Sequence, residues 1–365
     1  MSKYYSLERV KKVDAEFKML LGGRNIGKSY AVKHDVAKDC FLHGYEFIYL
    51  RRWDEDIKQK NAINYFGDLS VKEITNEQYT DVYIYQSKIY FVSYDENGKI
   101  NNKYLIGYTH ALNQNERYKS QIFPKVIYII YEEFITDRMY LPNECNQLQE
   151  YVSTIFRDRK GVVYLVGNTI SKLCPYFNEW KLDKVSKMKV HEICVFENTT
   201  DVMTPDGVES ITVRIAVEMC GAQTVLSKMA FGDSANMIVK NEWRSKTVAR
   251  LDKDVYDLSD TLHTVFVIAD NLTFKMELLQ YESFIFWYVT PFTSEIKHKD
   301  ETRIIQKDAS MSPLHTVGFN PLTEREQIAF NLIRQNKIFY CSNSCGSDFE
   351  MVYASITYYQ HYNTV

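Results

Sequence analysis

No apolar run in the chain approaches the ~18 residues that a membrane-spanning helix requires. The opening stretch, MSKYYSLERVKK, has no apolar core of the signal-peptide kind, so a soluble protein in a reduced, intracellular setting is expected. The seven cysteines (40, 145, 174, 194, 220, 341, 345) are odd in number and scattered, which gives no disulfide framework. Cys341 and Cys345 are the one close pair, and no second pair at matching spacing completes a zinc site. Charge of one sign is also missing. With a formal net charge of −3 there is no overall basic field, and any polyanion must be met locally, by loops. There are no internal repeats and no low-complexity segment. The guanine-specific N-K-x-D signature is absent too.

What is present begins at residue 22. Gly22-Gly23-Arg24-Asn25-Ile26-Gly27-Lys28-Ser29 fits the phosphate-binding pattern G-x-x-x-x-G-K-[ST] at every fixed position. An apolar run (Phe17, Met19, Leu20, Leu21) precedes it and a helix-like stretch from Lys28 to about His43 follows, as the mechanism needs. The glycines let backbone N–H groups and a helix N-terminus approach phosphate oxygens. Lys28 then neutralises β/γ-phosphate charge, the Ser29 hydroxyl ligates Mg²⁺, and the loop through Tyr30 holds the nucleotide. ATP is the expected triphosphate, by elimination of guanine rather than by a base contact.

A hydrolytic site needs a carboxylate near the cation and a second to activate water. Glu132-Glu133, at the end of the apolar run 125–131, supplies both, with Glu132 on the metal side and Glu133 as base; two solvated acids capping a strand is the plainer reading. The first acid is Glu where Asp is usual. Four cations are candidates for stabilising phosphoryl charge: Arg24 inside the loop, Lys119 on a polar loop, and Arg157 and Arg159 closing a helix that ends near Phe156. The latter two equally suit a helix C-terminus. Asn168, ending a strand at 162–167, is placed to sense the γ-phosphate or lytic water, or to serve as a turn residue.

Length suggests two domains, since a single core seldom exceeds roughly 250–300 residues. Strands at 46–50, 125–131 and 162–166 alternating with helices give an α/β fold with a mostly parallel sheet; residues 81–107 add a hairpin signal at Asn97-Gly98. Beyond about 200 the texture changes: a turn at 204–207, alternation over 209–217, then Lys240, Arg244, Lys246 and Arg250. Strands at 264–269, 273–279 and 283–289 and a helix at 323–335 make a smaller α+β unit. The division expected is 1–205, a connecting or lid region 206–250, and 251–365.

The ordered stretches GGRNIGKSY (22–30), EFIYLRR (46–52), NYFGD (64–68), YIIYEEFI (128–135), LPNE (141–144), STIFRDR (153–159) and GNTISKLCPYF (167–177) resemble the phi-29-like phage DNA-packaging (encapsidation) ATPases. The resemblance covers about residues 17 to 180. It implies an ASCE-type P-loop NTPase fold with helices on both faces of the sheet, followed by an RNase H-like domain without nuclease activity. It further implies a homo-oligomeric, pentameric ring on the viral portal, driving double-stranded DNA into a procapsid in the host cytoplasm, with a structural RNA as a further candidate partner. Lys28 and Ser29 match the phosphate and Mg²⁺ ligands, Glu132 the Walker B acid and Glu133 the catalytic glutamate. Arg157 matches a trans-acting arginine, Lys119 a trans lysine, Arg24 the loop arginine and Asn168 the coupling position. Trp53-Asp54-Glu55-Asp56 stands where the family is more basic on a loop facing DNA, leaving Lys58 and Lys60 as candidate contacts. In the C-terminal unit Asp270 is the one nuclease-like acid, and one carboxylate cannot hold two metals. A helicase-type translocase, a P-loop small-molecule kinase and a non-hydrolysing nucleotide-gated scaffold remain as alternatives.

Overall fold

A computed structural model describes residues 4–136, 139–172, 174–204, 207–221, 243, 247–269 and 272–362. The described residues fall into two compact units, one holding 4–170 and 174–221, the other 171, 172 and 243–362.

The first unit is built on a nine-stranded sheet among the described residues. Its strands are β1 (Phe17–Gly22), β2 (Glu46–Arg51), β3 (Asp81–Tyr85), β4 (Lys88–Tyr94), β5 (Ile100–Ala111), β6 (Val126–Glu132), β7 (Val162–Asn168), β8 (Ile193–Thr204) and β9 (Gly207–Met219). The order is β3-β4-β5-β2-β6-β7-β1-β9-β8. From β5 to β9 every pairing is parallel, and antiparallel hairpins close both edges. β1 is buried along its whole length, which is why it reads as an apolar run broken only by Lys18, whose ammonium donates to the Lys11 carbonyl. Leu20, Phe47, Tyr49, Ile130 and Val166 form one core with Val32 and Val36 of the helix Lys28–His43. The opposite face is reached by Tyr131, whose hydroxyl bonds Glu144 on the helix Glu144–Phe156. Helices therefore cover both faces, and parallel pairing aligns the carboxyl ends of β2, β6, β7 and β1 along one edge: Leu50 opposite Tyr131, Glu132 opposite Val166, Asn168 opposite Gly22. Ligands bind at this edge in α/β folds.

One segment departs from the sequence expectation. Residues 207–219, placed with the connecting region, form β9 and hydrogen-bond to β1 through Ile215–Met219. Only this last part of the strand is buried; the earlier residues form an exposed two-stranded ribbon with β8, so the alternation there carries no core signal.

The second unit holds a six-stranded sheet among the described residues: β10 (Asp260–Ala269), β11 (Leu272–Tyr281), β12 (Phe284–Pro291), β13 (Ile304–Gln306), β14 (His315–Val317) and β15 (Ile338–Tyr340). An antiparallel meander β10-β11-β12 is extended by β13 and β14, both running parallel to β10, and by β15 parallel to β12. This is a mixed α+β unit, with strand order β14-β13-β10-β11-β12-β15. Its helix Glu324–Arg334 starts where sequence places it because Thr323 accepts from the Glu326 N–H as N-cap. Trp287, fully buried, donates to the Ala329 carbonyl at 2.8 Å and anchors that helix on the sheet. Asp270 lies outside the described residues, as do Lys240, Arg244 and Lys246. No helix among the described residues is long and apolar enough to cross a membrane.

Candidate functional site

The phosphate loop joins β1 to the helix Lys28–His43 through Gly27, whose φ of 93° at the N-cap is a conformation that favours glycine. A Cβ on Gly22 would lie 2.8 Å from the Cys220 carbonyl oxygen, so the loop begins where only glycine fits against the chain following β9. Lys28 is buried. Its ammonium donates to the carbonyls of Gly22 (3.0 Å) and Gly23 (2.6 Å) and to Asn168 Oδ1 (3.2 Å). Burial pushes its pKa down to about 8, with the Glu132 charge opposing. The loop cation and the strand-end asparagine are thus in direct contact. Arg24 is exposed at the loop tip, and Tyr30 is exposed on the helix, its ring stacked on His34.

Glu132 ends β6 as a buried carboxylate on the same side of the sheet as this helix. Burial raises its pKa, while hydrogen bonds from Ser29 and Tyr65 and the charges of Arg51 and Lys28 favour ionisation. A serine hydroxyl hydrogen-bonded to a carboxylate beside a buried lysine is an all-oxygen donor pair, and these two residues fit a hard divalent cation such as Mg²⁺. Glu133 behaves differently. Its carboxylate is 60% exposed and pairs with Arg51 Nη2 at 2.7 Å. Its backbone has φ 55°, uncommon for a side-chain-bearing residue, and is pinned from two directions. The Glu133 N–H donates to Val166 O at 2.9 Å, while Arg52 donates to the carbonyls of Glu133 (3.2 Å) and Phe134 (2.7 Å). Arg52 is itself fixed by a buried bidentate pair with Glu144 (2.7 and 3.0 Å), whose carboxylate also accepts from Tyr131, Tyr176 and the Leu141 N–H. This network fixes the backbone at Glu133 and Phe134 while leaving the Glu133 carboxylate open to water.

The remaining candidates divide by location. Arg157 and Lys119 both lie against the segment 116–121, at different heights along one helix. The 13-residue helix Glu144–Phe156, about 20 Å long at 1.5 Å per residue, starts where Glu144 holds Arg52 and carries the chain back toward the start of β6. There Arg157 donates to Gln121 O (3.4 Å); Lys119 pairs with Glu116 (2.6 Å) and lies 3.8 Å from Glu150, midway along the helix. Arg159 donates to the carbonyls of Pro124, Val126 and Ile155, so it clamps the start of β6. Lys58 and Lys60 are exposed at the start of the helix Gln59–Phe66. The acids before them are occupied internally: Asp54 accepts from Asn113, and Asp56 pairs with Arg51.

Residues 1–259 match the podovirus DNA encapsidation protein (Gp16) family. The chain belongs to that family. Within it, a DNA packaging protein of Bacillus phage B103 is 33% identical over 168 residues, 45% of this chain and 47% of the relative. The corresponding protein of Bacillus phage phi29 is 28% identical over 180 residues, 48% and 49% of the two chains. The chain thus spans about half the length of the curated relatives it matches. A structure of the bacteriophage Phi-29 viral genome packaging motor assembly is similar over 98% of both chains, at 17% identity and TM-score 0.56, which shows a shared fold.

Residues in this encapsidation-family chain that sequence reasoning left without a role are Tyr65, Arg51, Arg52 and Glu144. Each lies in or borders a stretch carrying the family resemblance (NYFGD, EFIYLRR, LPNE), and that was the available signal.

Proposed function

We propose that the chain is an ATPase motor subunit that drives double-stranded DNA into a viral procapsid. The observation carrying this is the convergence of Lys28, Ser29 and Glu132, with Glu133 beside them and open to water, at the carboxyl edge of a sheet in a DNA encapsidation family member. On binding ATP, Lys28 exchanges its two loop carbonyls for β/γ-phosphate oxygens. Ser29 and Glu132 would hold Mg²⁺, which when bound neutralises phosphate charge. Glu133 leaves Arg51 and orients the attacking water. Arg24 reaches the γ-phosphate from the loop tip. Asn168, bonded to Lys28, registers the phosphate's arrival and loss and passes the change along β7. Arg157, with Lys119, completes the neighbouring subunit's site in a ring, expected to be pentameric, on the portal. DNA is then gripped through phosphates, which suits a motor indifferent to sequence, with Lys58 and Lys60 as contacts. The setting is the host cytoplasm, on the procapsid, with a structural RNA as a further candidate partner.

The test is phosphate release from ATP with and without double-stranded DNA, alongside the native mass of the assembly. Stimulation by duplex DNA in a ring-sized particle is expected. Strand separation on forked DNA would reassign the chain as a helicase, and γ-phosphate transfer to an acceptor other than water would make it a kinase.

A further inference from the structure

Glu132 presents a physical problem. A metal-side carboxylate must be held in one orientation, yet glutamate has one more rotatable bond than aspartate and sits at a strand's last residue. The solution lies 67 residues earlier, where Tyr65 donates its hydroxyl to Glu132 Oε1 at 2.9 Å. That phenol is itself immobilised. Its ring stacks on Tyr49, centroids 4.3 Å apart and 24° between planes, and meets Phe66 edge-on at 4.9 Å. The Lys33 ammonium lies 4.5 Å from the ring centroid. The same ammonium donates to the Tyr65 carbonyl and to Asp68, closing the NYFGD segment onto the phosphate-loop helix, where Lys33 is buried among its core-facing residues. Glu132 therefore has one carboxylate oxygen engaged by a rigid donor that is tied to the helix bearing Ser29.

We propose that Tyr65 is the positioning residue of the metal-side carboxylate, fixing one oxygen of Glu132 so that the other faces the divalent cation held with Ser29 and nucleotide. This rests on the nucleotide-site reading above and adds to it a specific dependence. Partners that orient metal ligands are typically worth 10–100-fold in metal affinity. The Tyr65 hydroxyl is committed to Glu132, so nucleotide binding without metal should not sense it. The helix Gln59–Phe66, which carries Lys60 and ends just after Tyr65, is then mechanically linked to cation occupancy.

Calorimetric titration of the full chain with a non-hydrolysable ATP analogue, in Mg²⁺ and separately in EDTA, tests this. Tyr65→Phe keeps the stacking ring and removes only the hydroxyl. It should lose about tenfold of the affinity that Mg²⁺ adds, with the EDTA affinity unchanged. An undiminished Mg²⁺ gain, or an equal loss in EDTA, would overturn the proposal while leaving the phosphate-loop reading intact. A wild-type chain that binds no analogue under either condition would overturn both. Glu132→Asp supplies a second arm, since the shorter carboxylate withdraws from the phenol. In that background Tyr65→Phe should change the Mg²⁺ gain less than twofold, and a full tenfold effect there would also overturn the proposal.

Discussion

Lys28 is the residue whose chemistry can be followed most directly. Burial holds its pKa near 8, so the amine is partly neutral just above that pH. A phosphate beside it favours the charged form and raises that value, and nucleotide binding therefore takes up a proton. The sign follows. Affinity is unaffected by Lys28 below about pH 7 and weakens above about 8, by up to about tenfold per unit until the bound-state pKa is reached. Measuring nucleotide affinity from pH 6.5 to 10 in the wild type and in Lys28→Arg checks this. Arginine stays charged across the range, so its weaker binding should show no such fall. A flat wild-type profile between pH 7 and 9.5 would contradict the assigned environment. The loop was legible as a motif because its chemistry is local, with eight consecutive positions and one backbone geometry. The groups that orient the acids were not. Tyr65 and Glu132, Arg51 and Glu133, and Arg52 and Glu144 are separated by 67, 82 and 92 residues, and no periodicity reports pairings of that range.

Between residues and the whole, the elements that sequence resolved are those whose burial is uniform. β1, β6 and β7 are enclosed on both faces and announce themselves as apolar runs, whereas β9 is half solvated ribbon and half core strand and hides its role. The 3₁₀ segment Leu112–Tyr118 also escaped sequence reading, because one imidazole holds much of it. His110, at the end of β5, stacks on Tyr118 with centroids 3.8 Å apart and 10° between planes. Its Nδ1 shares a 2.6 Å hydrogen bond with the Tyr151 hydroxyl on the helix Glu144–Phe156. Burial pushes the His110 pKa down to about 3. The folded state thus keeps the ring neutral while the unfolded chain protonates near pH 6.5. Stability carried by this residue is complete above pH 6.5 and is lost as pH falls from there toward 3. By linkage the loss is about 2 kcal/mol between pH 7.5 and 5. His110→Phe retains the ring contact and leaves the Tyr151 hydroxyl without this partner. It should be about 1–2 kcal/mol less stable at pH 7.5, yet most of that difference should vanish by pH 5. Urea unfolding of both proteins at the two pH values reads this directly, and parallel losses in the two would remove His110 as the acid-sensitive contact.

Within one molecule the proposed catalytic set is divided between two ends of the same sheet, and this decides what kind of assembly the chemistry needs. Lys28, Glu132 and Glu133 occupy the carboxyl edge, while Arg157 follows a helix about 20 Å long that leads from that edge toward the start of β6, and Lys119 meets Glu150 midway along it. An arginine side chain does not span a helix of that length, so if Arg157 acts on a phosphoryl group it acts on a neighbour's. A ring generated by one repeated head-to-tail contact brings one subunit's far edge to the next subunit's near edge, and does so at every interface. Arg157→Ala and Glu133→Gln should then each abolish turnover alone, by 10³-fold or more for a finger of this type. When the two are mixed before assembly, a competent site needs Glu133 from one subunit and Arg157 from its neighbour. In a random equimolar mixture that occurs at roughly a quarter of interfaces, each mutation being absent from half the subunits. Steady-state phosphate release should therefore rise from background toward about that fraction of wild type, and fall again as either variant is placed in excess. Recovery absent at every ratio, with native mass showing that mixed rings had formed, would restrict the arginine to its own subunit, where geometry leaves it only the fold to support.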